Sequence, residues 1–293
     1  MPVRLSRRAV LLGGGGLVLA GAACGADRSS SDDDSAGADL GDDVALAAFF
    51  ATNEPFAAAA IDQRVVFGLV DTNGPIGAGA PAELSFTLED ATGSPAGDAL
   101  VVARHQAELP RPYYPVRFNV AEPGSYTAVT EVGGRRLETP FLVVARDQVA
   151  IPQVGDQLPV TATPTTDDPR GVDPICTRDP ECPLHEVSLD EVAGSGRPVA
   201  LLVSTPAFCQ TAICGPVLDV LLNRRAEVGD DVTLLHAEVY ADDTASELAP
   251  IVQILRLSYE PALFVVDGDG VLRARLDNIF DADEMREALA AVS

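Results

Sequence analysis

Two cysteines in the last third of the chain carry the clearest chemical signal. Cys209 and Cys214 are separated by four residues and follow the apolar run Pro198–Ser204. Gly215-Pro216 comes next and opens a segment with helical spacing, so Cys214 is expected at the start of a helix. Free backbone N–H groups and the positive end of the helix dipole stabilise a thiolate there. A thiolate can attack disulfides, react with peroxide or bind a soft metal ion.

An earlier pair of cysteines lies in a segment rich in Pro, Thr and Asp. Cys176 and Cys182 are separated by five residues, and in an exported protein we expect them to form a structural disulfide. Two alternatives stay open: a second redox pair, or copper or zinc ligation together with His185 and a fourth ligand that nothing nearby supplies. His236 is expected to be a strand residue and His105 a surface residue. We therefore predict no bound metal and no cofactor.

The first residues have the features of an export signal. Arginines precede the uncharged stretch Ala9–Ala23, which is too short for a membrane span, and Ser6–Leu12 resembles a twin-arginine signal. Cys24 stands where a lipoprotein would carry its lipid. The alternative is an ordinary cleavage site at Ala20–Ala22, which would leave a secreted chain. The acidic stretch Asp27–Asp43 has no apolar periodicity and is expected to be a solvated tether.

Charge and composition exclude several classes of function. The chain has 44 acidic residues against 20 basic ones, all of them arginine, and a net charge of −24. Nucleic acid is excluded as a partner because its phosphates select a basic face. The absence of lysine excludes a P-loop and Schiff-base chemistry, which both need an amine. A hydrophobic fraction of 47% excludes a wholly disordered chain.

Two different sequence patterns predict two domains. Short β runs broken by Pro and Gly, with a hairpin signal at Gly133-Gly134, predict an N-terminal all-β sandwich of the immunoglobulin-like kind. Pro123–Tyr126 resembles the tyrosine corner of such sandwiches. The order β-α-β-α-β-β-α then predicts a C-terminal α/β domain. The expected parts are a signal peptide (1–23), an acidic tether (24–43), the sandwich (44–146), a linker containing Cys176 and Cys182 (147–186) and the α/β domain (187–293).

About the last hundred residues resemble the thioredoxin-like superfamily. The resemblance rests on the apolar strand before Cys209, on the helix after Cys214 and on Tyr259-Glu260-Pro261 before a strand. It implies a thioredoxin-like fold with a cis Pro261 packed against the cysteine pair. Family order implies Cys209 as attacker and Cys214 as resolver, whereas helix-end electrostatics alone would favour Cys214 as attacker. The spacing also resembles that of bacterioferritin-comigratory-type peroxiredoxins, although their signature Pro and Thr are absent.

These features together predict a thiol–disulfide oxidoreductase on the outer face of the cell membrane. A lipid on Cys24 would hold it there, and its partners would be exported proteins with disulfides or thiols. Two alternatives remain: a copper- or partner-binding lipoprotein without enzymatic activity, and a peroxiredoxin-like thiol peroxidase. For the oxidoreductase and the peroxidase alike, we expect Cys209, Cys214 and Pro261 to form the site. The β-sandwich would orient this site or bind a partner protein.

Overall fold

A computed structural model describes residues 40–77 and 79–292, all of which belong to one compact unit. The expected signal peptide, the lipid on Cys24 and most of the acidic tether lie outside the described residues. Within the described ranges no helix is both long and apolar enough to cross a bilayer.

The N-terminal half of the described chain is built from two β-sheets. The strands are β1 (Ala45–Ala48), β2 (Ala57–Ala58), β3 (Gln63–Asp71), β4 (Gly74–Pro75), β5 (Glu83–Glu89), β6 (Leu100–Ala103), β7 (Tyr114–Phe118), β8 (Gly124–Val132) and β9 (Arg135–Val144). In the first sheet β3 pairs with β1, β4 and β7, all antiparallel. The second sheet has the order β2-β9-β8-β5-β6, with only the β2–β9 pair parallel. The β-rich N-terminal half is thus confirmed.

Aromatic side chains from both sheets fill the space between them. Phe67 of β3 stacks on Phe86 of β5 with ring centroids 5.6 Å apart, and Phe141 of β9 meets Phe67 edge-on at 6.2 Å. Contacts of this kind add to the free energy gained by burying the rings. Gly133 and Gly134 join β8 to β9 with φ of 58° and 75°, so the predicted hairpin is confirmed.

The described C-terminal half contains a four-stranded sheet and four helices. Its elements are α1 (Leu189–Val192), β10 (Val199–Val203), α2 (Cys214–Val228), β11 (Thr233–Ala237), α3 (Pro250–Leu255), β12 (Ala262–Val266), β13 (Leu272–Asp277) and α4 (Ala282–Ala290). The strand order is β11-β10-β12-β13. β10 is parallel to β11 and antiparallel to β12, which is antiparallel to β13. Every residue of β10 and β12 is buried, as the continuous apolar runs predict.

One helix starts later than its sequence pattern predicts. The spacing of apolar residues after Ser246 predicts a helix over Ser246–Leu257, but α3 begins at Pro250 with Ala249 as its N-cap. The carboxylate of Asp242 accepts hydrogen bonds from the backbone N–H groups of Ser246 and Glu247. These bonds hold the segment in a turn, because a short acidic side chain competes for backbone donors that a helix would otherwise use.

The segment between the two halves contributes to the core although it is irregular. Apart from a 3-10 turn at Arg146–Gln148, residues 147–186 contain no helix or strand. Ile151 and Val172 pack on one face of the C-terminal sheet, together with residues of β10 and β12. Cys176 and Cys182 pack on the opposite face, beside α2 and α4. The residues expected to form a linker therefore pack against both faces of this sheet.

Candidate functional site

The cysteine pair lies in the loop that connects β10 to α2. β10 ends at Val203, and after ten residues α2 begins at Cys214 itself, with Ile213 as its N-cap. Cys209 is in the turn before the helix, where the N–H of Ala212 donates to its carbonyl oxygen. The expected start of the helix at the second cysteine is confirmed. Both sulfurs therefore lie at the positive end of the α2 dipole.

The two thiols differ sharply in burial and acidity. Cys209 is half-buried, whereas Cys214 is 0% exposed, and both are free thiols. The Cys214 thiol and Thr211 hydroxyl lower the pKa of Cys209 to about 4, with help from the N–H of Cys214, which donates to Cys209 Sγ over 3.3 Å. The hydrogen bond to Cys209 and burial raise the pKa of Cys214. Cys209 is thus the thiolate of the pair.

A carboxylate and a cis proline lie next to the pair. The Glu260–Pro261 peptide bond is cis, as the resemblance implied, and Pro261 is buried. A carboxylate oxygen of Glu260 and the sulfurs of Cys209 and Cys214 lie within 4.8 Å of one another. Burial, and then the negative charge of Cys209, raise the pKa of Glu260. Sequence reasoning missed Glu260 as a functional group because it used the residue only as part of a motif.

The N-terminal half reaches this site through one arginine. The guanidinium of Arg111 donates to the carbonyl oxygen of Thr211 and lies 5.8 Å from the centre of the Phe49 ring. These residues, with Ile213 and Glu260, line a groove of about 220 Å³ beside the cysteine loop. The groove thus has an apolar wall, a cation and a carboxylate close to Cys209.

The second group of chemical residues consists of four buried side chains, here called the Cys2His2 cluster: Cys176, Cys182, His185 and His236. They are exposed by 3%, 5%, 3% and 2% respectively. Their ligand atoms all lie within 4.8 Å of one another. Cys182 Sγ is 3.3 Å from His185 Nε2 and 3.5 Å from His236 Nδ1, and the two nitrogens are 3.3 Å apart. The arrangement is compact enough for one metal ion to reach all four atoms.

Different parts of the chain bring these side chains together. His236 is in β11, and its backbone N–H donates to the carbonyl oxygen of Leu184, which places His185 beside it. The N–H of Cys182 donates to Cys176 Sγ over 3.4 Å, closing the loop between the cysteines. The hydrogen bond with Cys182 lowers the pKa of Cys176.

Three sequence-based interpretations need correction. Cys176 and Cys182 are free thiols, not the expected disulfide. The fourth ligand that the metal alternative lacked is present: His236 is buried in a strand, as expected, but its ring faces the cysteines. His105 is half-buried rather than on the surface, and its Nδ1 lies 3.1 Å from a carboxylate oxygen of Asp281. A histidine inside an otherwise apolar strand was the available signal for His236.

Comparisons with known proteins give no family assignment. No protein-family model matches the chain, and no curated protein matches it. Among solved structures, the sulfur carrier protein SoxY from Chlorobium limicola f thiosulfatophilum is similar at 15% identity and a TM-score of 0.20. The match covers 36% of this chain and 81% of that one. A similarity this low supports no statement about the fold or the function.

The acidity of Cys209 predicts an unusual pH profile for its alkylation. Because its pKa is lowered from 9.0 to about 4, the thiolate is already formed at about pH 5. We expect the rate with iodoacetamide to differ by less than about threefold between pH 5 and pH 8. The rate for each cysteine is read by mass spectrometry of peptides from the reduced protein. A rise of about 10³-fold over the same range, as for an ordinary thiol, would contradict the assignment.

Proposed function

We propose that this chain is a thiol–disulfide oxidoreductase in which Cys209 attacks a disulfide of a partner protein and Cys214 resolves the mixed disulfide. The asymmetry of the pair carries the proposal: a half-buried sulfur held as thiolate stands next to a sulfur that is 0% exposed and protonated. The attacking sulfur has to meet a large partner, whereas the resolving sulfur only has to reach its neighbour.

The reaction requires two thiol–disulfide exchanges. The Cys209 thiolate first bonds to one sulfur of the partner; the partner's S–S bond breaks, and its other sulfur leaves as a thiolate that takes a proton from water. Cys214 then gives its proton to the nearby Glu260 carboxylate and attacks Cys209 Sγ. The Cys209–Cys214 disulfide forms, and the partner's second sulfur leaves reduced. Two electrons pass from the pair to the partner.

The groove beside the pair supports a polypeptide as substrate. Phe49 offers an apolar surface, and the guanidinium of Arg111 and the carboxylate of Glu260 offer polar contacts in the same groove. In this proposal the N-terminal half orients the loop through the hydrogen bond from Arg111 to Thr211. It also forms one wall of the substrate groove, which gives the β-sandwich a role in partner recognition.

The same proposal includes the finer fold and the location. A strand leading to Cys209, a helix starting at Cys214 and a cis Pro261 before β12 support a thioredoxin-like C-terminal half. In the N-terminal half, the hydroxyl of Tyr126 donates to the carbonyl oxygen of Glu122, which supports an immunoglobulin-like sandwich with a tyrosine corner. The export signal and Cys24 lead us to propose a lipid-anchored protein outside the cytoplasm.

The proposal is tested by the reduction potential and turnover of the full chain. The protein is equilibrated with glutathione buffers, and the redox state of Cys209 and Cys214 is read by thiol labelling and peptide mass. We expect a potential above about −300 mV, in the range of catalytic pairs, and repeated reduction of insulin disulfides with a chemical reductant. A potential well below about −300 mV together with no turnover would instead identify a static bridge.

A further inference from the structure

We propose that the Cys2His2 cluster, formed by Cys176, Cys182, His185 and His236, binds one zinc ion. This inference concerns a different site from the cysteine pair and does not depend on the proposed redox function. Soft thiolates with imidazoles in a tetrahedral S2N2 set are typical zinc ligands. Two thiolates also balance the charge of Zn²⁺, so the buried site would be neutral when filled.

The distances between the ligand atoms match a tetrahedron around zinc. Bond lengths of about 2.3 Å to sulfur and about 2.0–2.1 Å to nitrogen put two nitrogens about 3.3 Å apart, and a sulfur and a nitrogen about 3.6 Å apart. His185 Nε2 and His236 Nδ1 are 3.3 Å apart. Cys182 Sγ lies 3.3 Å from His185 Nε2 and 3.5 Å from His236 Nδ1, and Cys176 Sγ lies 3.8 Å from His236 Nδ1. A central ion would therefore fit with little movement of the side chains.

The hydrogen bonds of His236 orient it as a ligand. Its Nε2 lies 2.9 Å from the hydroxyl oxygen and 3.2 Å from the carbonyl oxygen of Ser204. A proton on Nε2 can be donated to the Ser204 carbonyl, which leaves the lone pair on Nδ1 directed at the cysteines. On His185, by contrast, Nδ1 has no hydrogen-bond partner among the described residues, so its ring is not oriented by a hydrogen bond from outside the cluster. The hydrogen bonds with Ser204 thus orient His236 as a ligand before any metal ion binds.

Burial indicates a structural site rather than a catalytic one. All four side chains are at most 5% exposed, and they supply four ligands from the protein itself. A catalytic zinc keeps a position open for water or substrate, whereas a structural zinc is closed by four protein ligands. Burying four polar side chains without a metal or full hydrogen bonding is costly. A bound ion would offset that cost.

The ion would also fix the loop that carries the redox pair. Thr177, next to Cys176, accepts a hydrogen bond at its hydroxyl oxygen from the N–H of Ala207, two residues before Cys209. The carboxylate of Glu238 in turn accepts bonds from the backbone N–H and the hydroxyl of Thr177. Ser204, which contacts His236, begins the same loop. Zinc would thus connect the irregular segment before α1 to the loop after β10.

Metal analysis of the full chain tests this inference. The protein, purified reduced with zinc supplied and then desalted, should contain about one zinc per chain by elemental mass spectrometry. Replacing zinc with Co²⁺ should give the intense visible bands of tetrahedral cobalt and a thiolate charge-transfer band. Cys176→Ser and His236→Gln should lose the bound zinc and the zinc-dependent rise in melting temperature.

The redox pair supplies the matched control, because Cys209, Cys214 and Glu260 also lie within 4.8 Å of one another. Cys209→Ser and Cys214→Ser should keep zinc and the cobalt spectrum unchanged even though they lose turnover. Zinc that is lost in these variants but kept in Cys176→Ser would overturn the inference. An octahedral cobalt spectrum, a Cys176–Cys182 disulfide in protein purified without reductant, or binding of Cu⁺ but not of zinc would also overturn it. None of these outcomes bears on insulin reduction by the wild type.

Discussion

The Cys214→Ser variant is expected to accumulate a covalent complex with its disulfide substrate, whereas Cys209→Ser is expected to form none. Removing Cys214 leaves the Cys209 thiolate, which still attacks but has no neighbour to release the mixed disulfide. Removing Cys209 leaves a thiol that is 0% exposed, so it cannot meet a partner. Both variants should lose insulin reduction down to the background rate of the assay.

The complexes are measured on non-reducing gels and by mass spectrometry after acid quenching. A Thr211→Val variant is a graded control, because it keeps both cysteines and removes only a hydroxyl 3.3 Å from Cys209 Sγ. That change should raise the pKa of Cys209 and lower its alkylation rate at about pH 5, while the variant should still reduce insulin. Trapped complexes on Cys214 in the Cys209→Ser variant would reverse the assignment of attacker and resolver.

Local sequence was sufficient to locate the cysteine pair and the elements around it. Cys209 and Cys214 are five positions apart, and the strand before them and the helix after them follow from apolar runs and from Gly215-Pro216. Glu260-Pro261 could be found only through a motif, because it is the pairing of β12 with β10 that brings these residues close to the cysteines. The two-residue strands β2 and β4 escaped prediction because so few residues carry no periodicity.

The Cys2His2 cluster could not be assembled from local sequence. His236 is 51 positions from His185, and parallel pairing of β11 with β10 places it opposite Leu202. The segment before α1 then runs along the free edge of β11, where Leu184 accepts a backbone hydrogen bond from His236. Neither contact has a signal in spacing or composition. The burial of Arg64, which is 8% exposed, likewise has no signal in spacing or composition.

The buried ion pair between Arg64 and Glu284 predicts a large loss of stability when one partner is removed. Arg64 of β3 donates from Nε and Nη2 to the two carboxylate oxygens of Glu284 in α4, over 2.7 Å and 2.6 Å. Arg64 also donates to the carbonyl oxygens of Asp277 and Ile279, and Tyr113 donates to Glu284. This bidentate pair therefore joins the N-terminal half to the last helix.

We expect Glu284→Ala to lower the free energy of unfolding by about 3–5 kcal/mol, because it leaves a buried guanidinium without its counter-charge. Urea unfolding followed by circular dichroism measures the change. The double variant Arg64→Met with Glu284→Leu should recover much of the loss, since a well-packed apolar pair can replace a buried ion pair. Arg136→Met, which breaks an exposed pair with Glu89, should leave the unfolding free energy nearly unchanged. A small effect of Glu284→Ala alone would contradict the prediction.

The same pair also contributes to the response of the protein to acid. Burial opposes ionisation of Glu284, but the charge of Arg64 outweighs it and lowers the pKa of Glu284 below its ordinary value of 4.5. A lowered carboxyl pKa adds stability above the unfolded value, and this stability is lost as pH falls through the folded value. The wild type should therefore lose stability below about pH 4.5 more steeply than Glu284→Gln, which has no proton to gain. Equal slopes in urea unfolding across this range would show that the contribution of Arg64 to stability does not depend on the charge of Glu284.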